Sequence, residues 1–175
     1  FFNYLYKNGH IHANPALLVD MPKIQDKAIV RMEANEVAQF LDNVEYGNKL
    51  SDHQMAYHEK NKKRDLALLT LMLGTGIRVS ECVGLDIQDI DFDYDRIKVV
   101  RKGGYEAYVY FGKEARDALC DYLEERKDIL AQEGHEKALF LSSQRKRISV
   151  RSVENMVKKY ASITTPTKKI TPHKL

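Results

Sequence analysis

The sequence predicts an α+β domain that is mainly helical and carries a small antiparallel sheet of three strands. Apolar residues recur at helical spacing over Glu33–Val44 and Lys113–Gln132, and a solid apolar run covers Leu66–Leu73. Ile90–Phe111 then changes to alternating, β-branched and aromatic residues, interrupted by two short runs of turn-forming residues. The 175 residues suffice for one core and are too few for two full domains.

The elements follow in a simple order. Phe1–Lys7 is predicted to be the last turns of a helix that Gly9 ends, and two prolines make Ile11–Ala28 an extended linker. Tyr46–Asn61 is polar and is interpreted as a loop or the approach to the next helix. The other predicted elements are helices over Glu33–Val44, Asp65–Leu73 and Gly76–Gly84, strands at Ile90–Phe92, Arg96–Arg101 and Tyr105–Phe111, a helix over Lys113–Gln132 with Leu130 facing inward, a buried segment at Ala138–Leu141, a helix over Val150–Ala161 capped by Ser149, and a helix start at Thr171-Pro172.

Composition restricts the class of protein. Hydrophobic residues make up 43% and charged residues 30%, values typical of a soluble globular protein, and no apolar run approaches the roughly 20 residues that span a bilayer. The two cysteines form no metal-binding pattern and suggest no disulfide framework, which favours a reducing cytoplasm. The chain begins FFNYLYKNGH, without Met or a signal pattern, so we expect it to be part of a longer protein.

Charge is distributed unevenly along the chain. Ala138–Leu175 contains nine Lys/Arg and one acid, whereas Glu114–Glu136 contains eight acids and three bases. A basic C-terminal third beside an acidic middle indicates a polyanion lying across one face, although solvated surface charge is an equally simple explanation.

Three cations occupy special positions in the predicted elements. Arg78 follows the Gly74-Thr75-Gly76 turn, Lys102 lies at a hairpin tip, and His173 lies at a helix start. Each has an ordinary explanation: Arg78 could simply pair with Glu81 three residues later, the lysine could be merely exposed, and the histidine could be a capping feature. The Gly-Thr-Gly turn lacks the remaining residues of a dinucleotide or P-loop fingerprint, and His10-x-His12 has no convergent ligand set, so neither a nucleotide site nor a metal site is predicted.

Taken together, these motifs resemble a known family. Gly76-Ile77-Arg78-Val79-Ser80-Glu81, the Lys102-Gly103 hairpin and Thr171-Pro172-His173-Lys174-Leu175 are similar, in order and spacing, to the catalytic domain of the tyrosine recombinases, and closest in style to integrases of conjugative transposons. Phe1–Pro22 resembles the join to that family's N-terminal core-binding domain. The resemblance assigns residues 1–28 to the end of that domain and the linker, and residues 29–175 to the catalytic domain.

The resemblance implies a reaction, which is site-specific recombination or integration of DNA through a 3′-phosphotyrosyl intermediate, without metal or other cofactor. Arg78 would hold the non-bridging oxygens of the attacked phosphate in a planar fork, and Lys102 would protonate the leaving 5′-oxygen. His173 would contact the same phosphate or assist proton transfer, and Glu81 would orient Arg78 without reacting.

The chain departs from the family pattern at its end. The family's second arginine follows the histidine by three residues and the nucleophilic tyrosine lies further on, so both would come after Leu175. We therefore expect a C-terminally truncated, inactive piece of a recombinase. The alternatives are a non-catalytic DNA-binding module derived from a recombinase, and a protein-interaction domain whose DNA affinity would be weak and insensitive to salt.

DNA contacts are predicted on the helix after Ser149. Its polar face carries Arg151, Glu154, Lys158 and Lys159, it is preceded by Arg145-Lys146-Arg147, and it could lie in a major groove, with Lys62 and Arg64 as secondary contacts. The expected partner is double-stranded DNA, bound when full length by a homo-tetramer in the bacterial cytoplasm, in association with the nucleoid.

Overall fold

The structure, a computed structural model, describes residues 1–20, 30–101 and 103–172. Within these ranges it contains seven α-helices and a three-stranded sheet. The helices are α1 (Phe2–Lys7), α2 (Ala34–Tyr46), α3 (Asp52–Glu59), α4 (Lys62–Thr75), α5 (Val79–Gly84), α6 (Lys113–Lys127) and α7 (Val150–Thr164), and the strands are β1 (Ile90–Asp91), β2 (Arg96–Val100) and β3 (Glu106–Tyr110).

Helix α4 forms the centre of the core. Its residues 67–72 are all buried, and it packs against α6 on one side and α2 on another. A helix that is apolar on every face is stable only when other elements surround it, which accounts for this central position. Gly76, with φ of 65°, ends the helix in the left-handed conformation, and its N–H donates to the Met72 carbonyl at 2.9 Å.

The sheet is antiparallel with the order β1-β2-β3, as predicted. Ile97 and Val99 of β2 are buried against the helices, while Arg96 and Lys98 alternate with them on the other face. The turn between β2 and β3 contains Gly103 at φ of 95°.

Helix α7 packs against α2 and α5. The Ser149 hydroxyl caps it by accepting from the Ser152 N–H at 3.2 Å, and Val153, Val157 and Tyr160 face the core. The predicted cap is thus confirmed, and the helix ends at Thr164, three residues beyond the predicted end.

A buried polar group joins α7 to α3 and α4. The Tyr160 hydroxyl donates to Asp65 Oδ2 at 3.3 Å and lies 3.1 Å from His58 Nδ1. Burial, followed by the charge of Asp65, raises the pKa of the Tyr160 hydroxyl well above its usual value. Tyr160 is therefore a protonated core residue.

Two segments among the first 61 residues differ from the sequence-based expectation. Tyr46–Asn61, interpreted as a loop or helix approach, contains the complete helix α3, which begins in a capping box between Ser51 and Gln54. The predicted linker contains a 3₁₀ helix at Pro15–Leu18 rather than only extended chain, and its residues 21–28 lie outside the described part.

The helix predicted over Lys113–Gln132 ends earlier, at Lys127. Buried Arg126 donates to the carbonyls of Ile129, Glu136 and Ala138, so that its guanidinium holds the chain as it turns away from the helix axis. Leu130, predicted to face inward, is 79% exposed as a consequence. Of the helix start predicted at Thr171-Pro172 only these two residues are described, and the positions after Pro172 lie outside the described part.

Candidate active site and nucleic-acid interface

Arg78 lies at the reversal between α4 and α5. Gly76 stops the first helix, and Arg78 is the N-cap of the second, with extended backbone angles of −68° and 149°. Its neighbours Ile77 and Val79 are each 5% exposed, so the core fixes the backbone on both sides. The Arg78 side chain itself is 61% exposed, which leaves the guanidinium accessible from a rigid base.

Glu81 fixes the orientation of Arg78 through two hydrogen bonds. One carboxylate oxygen accepts from the Arg78 backbone N–H at 2.9 Å, and the other accepts from Arg78 Nη1 at 3.1 Å. The Glu81 side chain is only 6% exposed, whereas its partner is open to solvent. This geometry is the one expected of a carboxylate that orients a cation and does not itself meet a ligand.

The hairpin between β2 and β3 faces the same region. Val100 and Arg101 line a cavity of about 480 Å³ together with Arg78 and Glu81. The Arg101 N–H donates to the Tyr105 carbonyl at 2.8 Å, which closes the turn. Lys102, the predicted general acid, lies outside the described residues, but both its chain neighbours belong to the described turn.

The C-terminal segment approaches from another direction. Thr171 and Pro172 line a cavity of about 680 Å³ with Val79 and the Arg151–Lys158 side of α7, defined here as the Pro172 cavity. His173 lies outside the described residues. The structure thus brings the residues preceding the histidine alongside α5, at the residue next to Arg78.

The cations predicted to contact DNA lie in three environments, two of which are the exposed surface and the neighbourhood of aromatic rings; the third is that of Arg147. Arg145, Lys146, Arg151 and Lys158 are exposed, and Arg151 pairs with Glu154 at 3.1 Å. Lys159 is half-buried, with its Nζ 3.9 Å from the ring centroid of Tyr160 and 5.6 Å from that of Tyr57. These positions leave four cations on the surface and one packed between aromatic rings.

Arg147 has a different environment from its two neighbours. Its Nη1 donates to the carbonyls of Val83, Gly84 and Leu85, and its Nη2 pairs with Asp86. The guanidinium therefore satisfies the carbonyl groups at the end of α5, which leaves fewer donors for the predicted contact to DNA.

The secondary candidates Lys62 and Arg64 also differ from each other. Arg64 is 5% exposed, its Nη1 donates to the Leu141 carbonyl at 2.9 Å, and its Nε and Nη2 bind Asp65. The prediction that Arg64 contacts DNA is wrong, because its guanidinium is buried and donates its hydrogen bonds to Asp65 and Leu141 inside the core. Lys62 pairs with Glu59 at 2.8 Å on the surface.

Sequence reasoning missed a further concave site beside α7. It is a cavity of about 530 Å³, defined here as the Tyr57 cavity, whose walls come from α3, the start of α4, residues 142–148 and α7. In the sequence, only the Ser149 cap and the basic residues gave a local signal for this cavity.

In the described ranges no group of three or more His, Cys, Asp or Glu side chains could hold a metal ion. No helix in these ranges combines the length and the apolar character that a membrane span requires.

The fold and this geometry define an α+β domain that exposes an arginine, fixed by a buried carboxylate, beside a cationic helix. The model of the phage integrase family matches residues 30–175, so the chain belongs to that family, the tyrosine recombinases.

Named relatives are similar over most of this chain. The tyrosine recombinase XerS of Streptococcus agalactiae is 43% identical over 146 residues, which cover 81% of this chain and 40% of the relative. XerS of Streptococcus gordonii is 39% identical over 155 residues, covering 87% and 43%. The chain spans less than half the length of these relatives.

Solved structures share the fold. The crystal structure of XerA recombinase has a TM-score of 0.66 at 24% identity, covering 96% of this chain and 52% of that one. The Tn1549 transposon integrase in complex with a circular intermediate DNA has a TM-score of 0.66 at 20% identity, covering 98% and 59%. The predicted α+β recombinase-type fold is thus confirmed; at these identities the likeness does not decide between Xer-type and transposon-type subgroups.

Proposed function

We propose that the protein, in its full-length form, is a site-specific recombinase that cleaves and rejoins DNA through a 3′-phosphotyrosyl intermediate. This chain supplies the part that binds the phosphate and protonates the leaving group. The observation that carries the proposal is Arg78: its backbone is fixed between buried residues, and Glu81 orients its exposed guanidinium. Membership of the phage integrase family supports it.

The chemistry follows from the residue types. A phosphodiester under attack accumulates charge on its non-bridging oxygens, and a fixed guanidinium can meet two of them at once without reorganising. Lys102 protonates the leaving 5′-oxygen, and His173 contacts the same phosphate or assists proton transfer from the nucleophile. This assignment is supported by the position of their described neighbours: Arg101 lines a cavity with Arg78, and Pro172 lines one with Val79.

The substrate is double-stranded DNA, and α7 is the element that enters its major groove. Arg151 and Lys158 are exposed on α7, and Arg145 and Lys146 are exposed on the turn before it. Similar structures support this partner, since the XerH recombinase is bound to its difH substrate and the Tn1549 integrase to a circular intermediate DNA. The full-length protein acts as a tetramer in the cytoplasm, associated with the nucleoid when bound.

The test traps the covalent intermediate. The full-length protein is incubated with a duplex that carries its recombination site and a nick beside the cleaved phosphate, and covalent complexes are separated in denaturing gels. Arg78→Ala should reduce the complex by about 10²-fold or more. The control Lys127→Met removes an exposed lysine of α6 that pairs with Glu124 and should leave the complex unchanged.

Two results would contradict the proposal. An undiminished complex with Arg78→Ala would remove the role assigned to this residue. A wild-type protein that binds the duplex without ever forming a covalent complex would identify the non-catalytic DNA-binding module instead.

A further inference from the structure

Helix α7 separates two cavities. Arg151 and Lys158, seven residues apart and therefore on one side of the helix, line the Pro172 cavity. Ser152 and Lys159, one position further on and again seven apart, line the Tyr57 cavity. Asn155 lines both, so it marks the crest of α7 between them.

The Tyr57 cavity is rich in hydrogen-bond donors. Its volume of about 530 Å³ lies within the size range of ligand pockets. The donors that line it are hydroxyls, amides and ammonium groups, among them those of Tyr57, Gln144, Lys146, Asn155 and Lys159. Its one carboxylate, Asp65, is already neutralised by Arg64 and also accepts from the Tyr160 hydroxyl.

Among the cations that line the Tyr57 cavity, Lys159 is the one that indicates a ligand. Its ammonium lies against the rings of Tyr57 and Tyr160, and no ion pair or hydrogen bond to it occurs in the described part of the chain. Burial lowers the pKa of Lys159, which reflects a charge that is only partly solvated. Arg64 and Arg147, which line the same cavity, are each matched by an aspartate. An anion is the group that would compensate Lys159.

From this arrangement we infer that the Tyr57 cavity is a second phosphate site, which takes the DNA backbone strand across the major groove from the strand held on the Arg78 side. The inference rests on the proposed DNA binding and goes beyond it by assigning the two sides of α7 to different strands. A helix is about 10–12 Å wide and the major groove is about 12 Å wide, so a helix in the groove has a phosphate backbone on each side. The Pro172 cavity, which adjoins Val79, receives one backbone, and the Tyr57 cavity receives the other.

The first measurement is the salt dependence of affinity for a random-sequence duplex, using the full-length protein. Lys159→Met keeps an apolar side chain of similar length beside the two tyrosines and removes the charge. It should reduce the slope of log K against log salt by about 0.9, the value for one phosphate contact. Lys146→Met, at an exposed position of the same cavity, should do the same, and Lys127→Met on α6 should leave the slope unchanged.

The second measurement locates the lost contact. Phosphates whose ethylation prevents binding are mapped on a duplex that the wild-type protein has selected from a random library. Lys159→Met should lose interference at phosphates of one strand, and Lys158→Met at phosphates of the opposite strand across the groove.

The outcomes separate this inference from the proposed function. A wild-type protein that does not bind duplex DNA overturns both. If it binds duplex DNA, two results overturn only the second phosphate site. One is that Lys159→Met keeps the wild-type slope and interference pattern. The other is that Lys159→Met and Lys158→Met both lose interference at phosphates of the same strand.

Discussion

The environment of each arginine in this chain determines what its guanidinium can do. Arg64 and Arg126 direct theirs at backbone carbonyls inside the core, and Arg147 does the same at the end of α5. Arg78 is held by Glu81 on one side only and remains 61% exposed. Because a guanidinium offers five donors in a fixed plane, a partial hold of this kind orients the group while leaving donors for a phosphate.

His58 gives a prediction about stability and pH. It is completely buried beside Tyr160, and its Nε2 has no hydrogen-bond partner among the described residues. Burial, followed by the positive charge of Lys159, lowers the pKa of His58. The unfolded chain therefore binds a proton at a higher pH than the folded chain does, and folding stability falls as the pH drops below the unfolded value of about 6.5.

Urea unfolding at pH 8.0, 6.5 and 5.5 checks this, since most carboxylates stay ionised over that interval. The wild-type protein should lose stability toward pH 5.5, and His58→Gln should lose less across the same interval, whatever its stability at pH 8.0. Equal pH dependence in the two proteins would show that His58 is not the titrating group.

Residues whose partners are close in the chain could be predicted, and those with distant partners could not. The role of Arg78 rests on a glycine turn two residues before it and an acid three residues after it, both visible in the sequence. Arg147 and Arg64 instead bind carbonyls more than 60 residues away, and no spacing rule indicates such contacts. Charge alone therefore predicts a DNA contact for both.

At the scale of elements, the same distinction explains which helices were predicted. Helices α2 and α7 carry apolar residues at helical spacing, α4 carries a continuous apolar run, and the strands have clear turn signals between them. Helix α3 is polar along most of its length, so apolar periodicity does not reveal it. Its signal was the Ser51-x-x-Gln54 capping box, which the sequence does contain.

The turn between α2 and α3 gives a prediction at this scale. Gly47 ends α2 with φ of 69°, and a Cβ at this position would lie 2.8 Å from two ring atoms of His58. The buried ring has no room to move away, so Gly47→Ala combines a left-handed backbone with a steric clash. We expect it to lower the free energy of unfolding by about 1–3 kcal/mol.

Gly74 is the matched control for this substitution. It lies inside α4 without a positive φ, and a Cβ there would meet no atom within 4 Å. Gly74→Ala should therefore raise the free energy of unfolding by about 0.5–1 kcal/mol. Urea denaturation of both variants measures the difference, and equal effects would mean that the α2–α3 turn does not constrain Gly47.

At the scale of the whole molecule, the two charged stretches of the chain are carried by different parts of the core. The acidic stretch Glu114–Glu136 includes most of α6, which packs on α4, whereas the basic helix α7 packs on α2 and α5. Arg151 and Lys158 are exposed on α7, so this helix offers a polyanion a local cationic surface although the net charge of the chain is only +3.

The corresponding prediction concerns affinity for duplex DNA and its loss with salt. The double variant Arg151→Gln/Lys158→Gln should weaken binding and reduce the slope of log K against log salt by about 1–2, since each phosphate contact contributes about 0.9. Lys113→Gln/Lys127→Gln removes the same charge from α6 and should leave the slope near the wild-type value. If both double variants reduce the slope equally, binding follows net charge and not the α7 surface. If the wild-type affinity itself does not change with salt, the chain is a protein-interaction domain, because phosphate binding requires the release of counterions.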